Sequence, residues 1–137
     1  DFIYHLKRGE IYTIDDKKFF MFGGGESMDK HLRKEHVSWW SDEIPSHKEY
    51  ENGLKNLENH NYCVDYIVTH SCPNFVFSEL AKKQKMFQKE GLEKNLREYF
   101  KQIANITEFK KWYFGHFHYD WNWDKYQALY QDIVKIV

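Results

Sequence analysis

Three short hydrophobic runs constrain the fold of this 137-residue chain most strongly, because each one leads directly into glycine or histidine. The runs are residues 19–22, 64–68 and 112–114. They are followed by Gly23-Gly24-Gly25, by Thr69-His70 and by Gly115-His116-Phe117-His118. Short runs with almost no polar residue are typical of buried strands. Because ligands of open α/β sheets bind beyond the carboxyl ends of the strands, these three ends predict one shared site.

The remaining patterns add a hairpin and helices to these strands. Residues 10–14 and 19–22 flank a polar turn and predict a hairpin. Ser46 and Glu49 form a capping box that predicts a helix through about residue 60. Apolar residues from Leu92 to Ile103 mark a second helix, a short one is expected within 71–89, and residues 126–137 predict one or two closing strands. We therefore expect a single unit over residues 1–137 with an α/β fold, built on a mixed (α+β) sheet.

Composition and charge exclude several classes of protein. Hydrophobic residues make up 42% of the chain, which excludes a disordered chain. The formal net charge is −1, so no bulk attraction to nucleic acid or to anionic lipid is expected. The longest apolar stretch is far too short to span a bilayer. The two cysteines, Cys63 and Cys72, fit a reduced cytoplasmic chain better than a disulfide scaffold.

The first residues predict that the chain is a fragment of a larger protein. It opens Asp1-Phe2-Ile3-Tyr4, with no initiator methionine and no signal-peptide pattern. Aromatic residues make up 19% of the sequence, and large aromatics prefer cores and interfaces. Half of a layered fold exposes an apolar face and strand edges. We therefore expect association with the missing part or with a second copy.

Three histidines are candidate metal ligands. If the backbone is extended, His116 and His118 project to one face while Phe117 points away. Neutral imidazoles on one face, joined by His70 from the neighbouring strand end, suit Zn, Mn or Fe, and a single ion completed by water would also fit. On the residues alone, two interpretations without a metal ion stay open. The pair could be polar residues on a solvent-exposed edge strand, and His70 could simply bond to backbone.

The order of these motifs resembles that of the calcineurin-like metallophosphoesterases. The glycines after Phe22, the Thr69-His70 pair with Pro73 just after it, and the Gly-His-x-His segment at 115–118 occur in the family's order. Shorter similarities are Leu6-Lys7-Arg8-Gly9, Ser27-Met28-Asp29-Lys30, and Ser38-Trp39-Trp40 leading to Glu43. The resemblance covers essentially the whole chain.

The resemblance implies a four-layer α/β/β/α sandwich that holds two divalent metal ions, Mn, Fe or Zn, at its strand ends. His70 and His116 would ligate one ion and His118 the other. The implied activity is hydrolysis of phosphomonoesters or phosphodiesters by metal-activated hydroxide. The family's Gly-Asp and Gly-Asn-His motifs are absent, and the Asp-x-His match at 29–31 and the Asn-His pair at 59–60 are judged accidental. The chain thus matches the C-terminal half of such an enzyme, and alone it is expected to be inactive, with no catalytic residue assigned.

Two further residues are predicted to contact the phosphate-ester substrate. Gly24 lies in the glycine loop, where the backbone can approach another group closely. Arg33 follows that loop and could bind a phosphate oxygen, although a solvated cation at a helix end is the alternative. Tyr119 and Asp120 either orient the imidazoles or start the next turn. The alternative to an enzyme is a non-catalytic binding or interaction module that keeps the fold without the chemistry.

Overall fold

The computed structural model describes residues 2–26, 30–84 and 93–136, which form a mixed α/β fold around one sheet. The strands are β1 (Glu10–Ile14), β2 (Lys17–Phe22), β3 (Tyr66–Thr69), β4 (Lys111–Phe114), β5 (Trp121–Trp123) and β6 (Tyr126–Ala128). The helices are α1 (His47–Asn59), α2 (Asn74–Gln84) and α3 (Lys94–Ile106). Within these ranges the strands form a six-stranded sheet in the order β1-β2-β3-β4-β6-β5.

Three neighbouring strands at the centre of the sheet run parallel. β2 pairs with β3, and β3 pairs with β4. Phe22 lies opposite Thr69, and Thr69 lies opposite Phe114, so the three strands end side by side. The predicted convergence of the three carboxyl ends is confirmed. β6 is also parallel to β4, whereas β1 and β5 pair antiparallel at the two edges.

The predicted hairpin closes through a turn of two aspartates. Asp15 and Asp16 have φ angles of 46° and 59°, and Ile14 lies opposite Lys17. Both central residues of a type I′ hairpin turn need positive φ, which aspartate tolerates better than most residues. The second strand therefore starts at Lys17, two residues before the apolar run that signalled it.

The hydrophobic core lies between one face of the sheet and the helices. Alternate strand residues Phe20, Phe22, Ile67 and Trp112 are fully buried, because every second side chain points to the same face. Helix residues pack against this set, and the Phe100 and Trp112 rings meet edge to face 5.7 Å apart. Each such buried side chain stabilises the fold by about 1.5–3 kcal/mol. α1 begins with the predicted capping box of Ser46 and Glu49.

The opposite face of the sheet carries a row of aromatic side chains. Phe19, Tyr66 and Tyr113 alternate with the core residues on β2, β3 and β4, and the Tyr66 ring centroid lies 5.0 Å from that of Phe19 and 6.2 Å from that of Tyr113. The Tyr66 hydroxyl donates a hydrogen bond to the carbonyl of Ile136, 2.9 Å away. The C-terminal segment therefore reaches this second face.

The closing strands lie earlier in the chain than predicted. They are β5 and β6, over 121–128, and residues 129–136 form no strand. Asp120 explains the difference, because its carboxylate accepts hydrogen bonds from the backbone N–H groups of Tyr130, Gln131 and Asp132. These bonds hold a bend at 130–131 in place of a strand. Asp120 therefore stabilises backbone ten residues further along, and residues 119–120 do not themselves start a turn.

Several helix predictions extend into residues that the structure does not describe. The helical turn expected at 26–34 includes Ser27, Met28 and Asp29, which lie outside the described residues, and a 3₁₀ turn covers Lys30–Leu32. The Asp-x-His match at 29–31 falls partly in the same gap. Leu92, expected to begin the second amphipathic helix, also lies outside. In the described ranges, no helix is long and apolar enough to cross a membrane.

Candidate metal centre

His70 and His116 meet at the ends of neighbouring parallel strands. His70 directly follows β3, and His116 comes two residues after β4. The Gly115 N–H donates to the His70 carbonyl at 3.1 Å, which joins the two strand ends. His70 Nε2 lies 2.9 Å from His116 Nδ1, with the rings nearly perpendicular at 71°. The structure thus brings together the two histidines that were expected to share one ion.

A buried carboxylate, Glu93, lies on the other side of His116. Its Oε1 atom is 3.6 Å from His116 Nε2, and its side chain is only 1% exposed. The Glu26 N–H donates to Oε1 at 2.9 Å, and the Ser71 hydroxyl donates to Oε2 at 2.7 Å. The guanidinium of Arg97 balances the charge, with Nη2 3.2 Å from Oε2. Both oxygens of the Glu93 carboxylate are therefore fixed by hydrogen bonds, and one of them also by the ion pair with Arg97.

The surroundings of His116 favour the uncharged imidazole. Burial holds the pKa of His116 below its usual range, and the Glu93 carboxylate opposes this only in part. The nearby His70, Arg97 and His118 lower the pKa of His116 further. At neutral pH the ring is uncharged, which is the form of histidine that ligates a metal ion.

His118 does not follow the geometry that its spacing suggested. The spacing argument requires an extended backbone, but β4 ends at Phe114, and His116 and His118 have φ angles of 72° and 51°. The rule that residues two apart share a face applies to strands, so that argument was wrong here. The His118 ring is exposed and stacks on Tyr130, with the ring centroids 5.0 Å apart.

The glycine that lies against the histidines is Gly25. A Cβ atom on Gly25 would come within 2.7 Å of both Glu93 Oε1 and His70 Cδ2, so only glycine fits there without a shift. Gly24, the glycine predicted to bind substrate, has a φ of +106° and faces another segment. A Cβ atom there would lie 2.6 Å from the Glu43 carbonyl oxygen and 3.2 Å from Arg8 Nη1.

Arg33 and Cys72 occupy very different places. Arg33 is exposed, and its guanidinium donates to the Ser38 carbonyl 3.2 Å away. This hydrogen bond is to the loop that follows Arg33 in the chain, and the predicted contact with phosphate stays a prediction. Cys72 is fully buried in the core and Cys63 is exposed; both are free thiols. His60 directly follows α1, and its Nδ1 lies 2.8 Å from the Asn56 carbonyl oxygen.

The donor set fits two ligands of a metal-binding shell. His70 Nε2 and His116 Nδ1 face each other, and neutral imidazole nitrogens suit borderline divalent ions such as Zn, Mn and Fe. At 2.9 Å these two nitrogens are also within hydrogen-bonding distance of each other. Over residues 2–26, 30–84 and 93–136, no three His, Cys, Asp or Glu side chains are grouped so that they could hold an ion.

Sequence reasoning missed Glu93, the buried carboxylate of the site. It precedes α3 with a left-handed backbone, at a φ of 56°. The only local signal is its spacing of four residues from Arg97, which is common for ion pairs on helix surfaces. That spacing predicts an ion pair on the helix surface. In the folded chain the Glu93–Arg97 pair is instead buried beside His116.

A cleft of about 340 Å³ lies next to Glu93. Gly25, Glu26 and Glu93 form one part of its wall, and Ile44, Pro45 and Tyr50 form an apolar part. A cleft that combines an apolar wall with a few polar groups has the general character of a ligand site.

Comparisons with known proteins identify no relative of this chain. No protein-family model, no curated protein and no solved structure matches the chain. The sheet topology and the side chains around His70 and His116 are therefore the grounds for a functional proposal.

Proposed function

We propose that this chain is the C-terminal part of a dinuclear, metal-dependent phosphoesterase of the calcineurin-like type. The observation that carries the proposal is the 2.9 Å distance between His70 Nε2 and His116 Nδ1 at the ends of β3 and β4. Two imidazoles at the carboxyl ends of parallel strands form a reasonable part of a metal site. The order of the motifs along the chain supports the same class of enzyme.

In this proposal each histidine has a defined role. His70 and His116 would hold one divalent ion, and His118 would hold the second. Bound Mn, Fe or Zn ions would neutralise the charge on a phosphate ester and supply hydroxide at neutral pH. Glu93 faces the outer nitrogen of His116, and Gly25, which has no side chain, lets its loop lie directly against His70 and Glu93.

The proposed substrate is a phosphomonoester or phosphodiester. Gly24 and Arg33 are the candidate contacts to its phosphate, through backbone and guanidinium respectively. The apolar wall of the cleft beside Glu93, which includes Ile44, Pro45 and Tyr50, would suit the organic part of such an ester.

We propose that the missing N-terminal half completes an α/β/β/α sandwich with a second sheet and supplies the remaining ligands, and that copies of the chain associate without it. This part of the proposal rests on the resemblance. The aromatic face opposite the helical core does not itself require a second sheet, because Phe19 and Tyr113 are only 5% and 8% exposed and the Tyr66 hydroxyl donates to the Ile136 carbonyl. The free thiols of Cys63 and Cys72 favour a cytoplasmic location.

The test compares metal content and hydrolysis in matched histidine variants. The chain, and a longer form with the preceding residues of its gene, are assayed with Mn²⁺ and an aryl phosphate. We expect hydrolysis by the longer form only, and its loss in His70→Ala and in His116→Ala. His47→Ala is the matched control, because His47 is an exposed residue at the start of α1. Equal rates in all variants would contradict the proposal.

The second candidate is a non-catalytic module that keeps the fold. The contacts around the two histidines favour this second candidate. His70 and His116 are within hydrogen-bonding distance of each other, and Glu93 already accepts a hydrogen bond from Ser71 and forms an ion pair with Arg97. Such a network is satisfied without an ion. This candidate predicts that the unsubstituted chain, His116→Ala and His47→Ala all contain the same negligible amount of metal.

A further inference from the structure

The Glu93 carboxylate joins the segments that follow all three parallel strands. After β2 it accepts the Glu26 N–H, after β3 it accepts the Ser71 hydroxyl, and after β4 it lies 3.6 Å from His116 Nε2. The His70 backbone joins the same strand ends, since its N–H donates to the Phe22 carbonyl at 3.4 Å and its carbonyl accepts the Gly115 N–H at 3.1 Å. A carboxylate in the position of Glu93 can set the relative placement of the residues around it.

The orientation of His116 depends on which groups face its two nitrogens. Nδ1 faces His70, and Nε2 faces Glu93 Oε1. The carboxylate is negative and can only accept protons. At 3.6 Å, beyond hydrogen-bonding distance, its charge still favours a proton on the nitrogen that faces it. A proton on Nε2 leaves the lone pair on Nδ1, which is the nitrogen turned toward His70.

We infer that Glu93 is a positioning residue, whose carboxylate fixes the ring and tautomer of His116 so that the unprotonated Nδ1 faces His70. This inference deepens the proposed function, because its consequence for metal affinity rests on that function. Its structural part, the tautomer of His116, is independent of any metal. Partners of this kind behind metal-bound histidines change affinity by about 10–100-fold when they are removed.

Arg97 makes the arrangement rigid. Its guanidinium lies 3.2 Å from Glu93 Oε2 on one side and stacks over the Phe77 ring at 3.8 Å. The pair is nearly enclosed, with the Arg97 side chain 10% exposed and that of Glu93 1% exposed. The carboxylate therefore has few alternative positions, which a group that orients another residue requires.

The experiment uses the whole chain, labelled with ¹⁵N-histidine, and reads the tautomer of His116 by NMR. The variants are Glu93→Gln, which keeps the size but removes the charge, and the control Glu98→Gln on the exposed side of α3. Zn²⁺ affinity is measured by competition with a chelating dye. We expect the Nε2–H form in the parent and in Glu98→Gln. In Glu93→Gln we expect a mixture of tautomers and about 10–100-fold weaker Zn²⁺ binding.

The possible outcomes separate this inference from the proposed function. If neither this chain nor the longer form with the preceding residues of its gene binds Zn²⁺, the proposed function fails, and the tautomer still decides the role of Glu93. If Glu93→Gln folds with an unchanged tautomer and unchanged Zn²⁺ affinity, the inference is overturned while the proposed function stands. Should Glu93→Gln not fold, Ser71→Ala decides, because it removes one donor to Glu93 and leaves both charges in place. We expect a smaller shift in the same direction, and no shift would overturn the inference.

Discussion

The indole of Trp112 donates a hydrogen bond from Nε1 to Thr69 Oγ1 at 2.8 Å, between the centre of β4 and the end of β3. Trp112 is fully buried, so this is the place where its polar atom finds a partner inside the core. The Thr69 hydroxyl in turn donates to the Ser71 carbonyl. One buried hydroxyl therefore links the core to the segment that carries His70.

Thr69→Val removes that hydroxyl with little change in shape. The Trp112 N–H is then buried without a partner, which costs about 1–3 kcal/mol of the free energy of unfolding. Urea denaturation measures the loss, with Thr13→Val on the exposed edge strand as the control. In a Trp112→Phe background the effect of Thr69→Val should be clearly smaller. An equal loss in both backgrounds would contradict the assigned hydrogen bond.

Gly25→Ala tests the close approach of the glycine loop to the histidines. The new Cβ atom would lie 2.7 Å from Glu93 Oε1 and from His70 Cδ2, so both side chains must move. We expect a loss of about 1–3 kcal/mol in the free energy of unfolding, typical of overpacking, and a displaced His70 ring. Gly23→Ala is the matched control, since a Cβ atom there meets nothing within 4 Å.

The outcome for Gly25 is read by urea denaturation together with the imidazole NMR signals of His70. The signals should shift in Gly25→Ala and stay unchanged in Gly23→Ala. A Gly25→Ala variant with the stability and His70 signals of the parent would show that the loop lies elsewhere.

The sequence predicted the centre of the fold well, because local signals there agree. Apolar runs that end in glycine or histidine located β2, β3 and β4, and the Ser46 capping box located the start of α1. The closing strands were predicted too late in the chain, because the bend after β6 depends on Asp120, a residue ten positions before Tyr130. Such a long-range hydrogen bond leaves no periodic signal in the sequence.

The site was only partly predictable for the same reason. Strand ends that share an edge bring His70 and His116 together, and this follows from the order of the strands. The orientation of His118 depends on left-handed backbone after β4, which the spacing of the histidines does not reveal. Glu93 comes from the residue before α3, and nothing local shows that it folds against His116.

The ionised Asp65 side chain makes the free energy of unfolding depend on pH. The Lys110 ammonium, 2.6 Å from Oδ1, and the Lys18 N–H hold the pKa of Asp65 below its usual value. A carboxylate with a lowered folded-state pKa stabilises the fold above its unfolded pKa, and this contribution is lost as the pH falls through the folded value. Asp65→Asn should therefore destabilise the protein at pH 7 and have a shrinking effect below about pH 4.

Denaturation of the parent and Asp65→Asn at several pH values checks this dependence. Asp42→Asn, at an exposed carboxylate, serves as the control and should show no comparable change with pH. A difference between the parent and Asp65→Asn that stays constant from pH 7 to pH 3 would rule out the ionised pair as its cause.

The two thiols should differ sharply in reactivity. Cys63 is exposed, whereas Cys72 is fully buried, and burial raises the pKa of the Cys72 thiol far above its usual value. A thiol-specific reagent at pH 8 should label Cys63 quickly and Cys72 only after unfolding, because the thiolate is the reactive form. Cys63→Ser should abolish the fast phase. Rapid labelling of two thiols in the folded parent would contradict the burial of Cys72.

The most direct measurement of the proposed metal site is a Mn²⁺ titration of ¹⁵N-histidine-labelled protein followed by NMR. A paramagnetic ion broadens the signals of the nuclei nearest to it. Our account predicts that substoichiometric Mn²⁺ broadens the imidazole signals of His70 and His116 first, while those of the exposed His47 stay sharp. Signals of all three that stay sharp, or that broaden equally, would contradict a metal site at these strand ends.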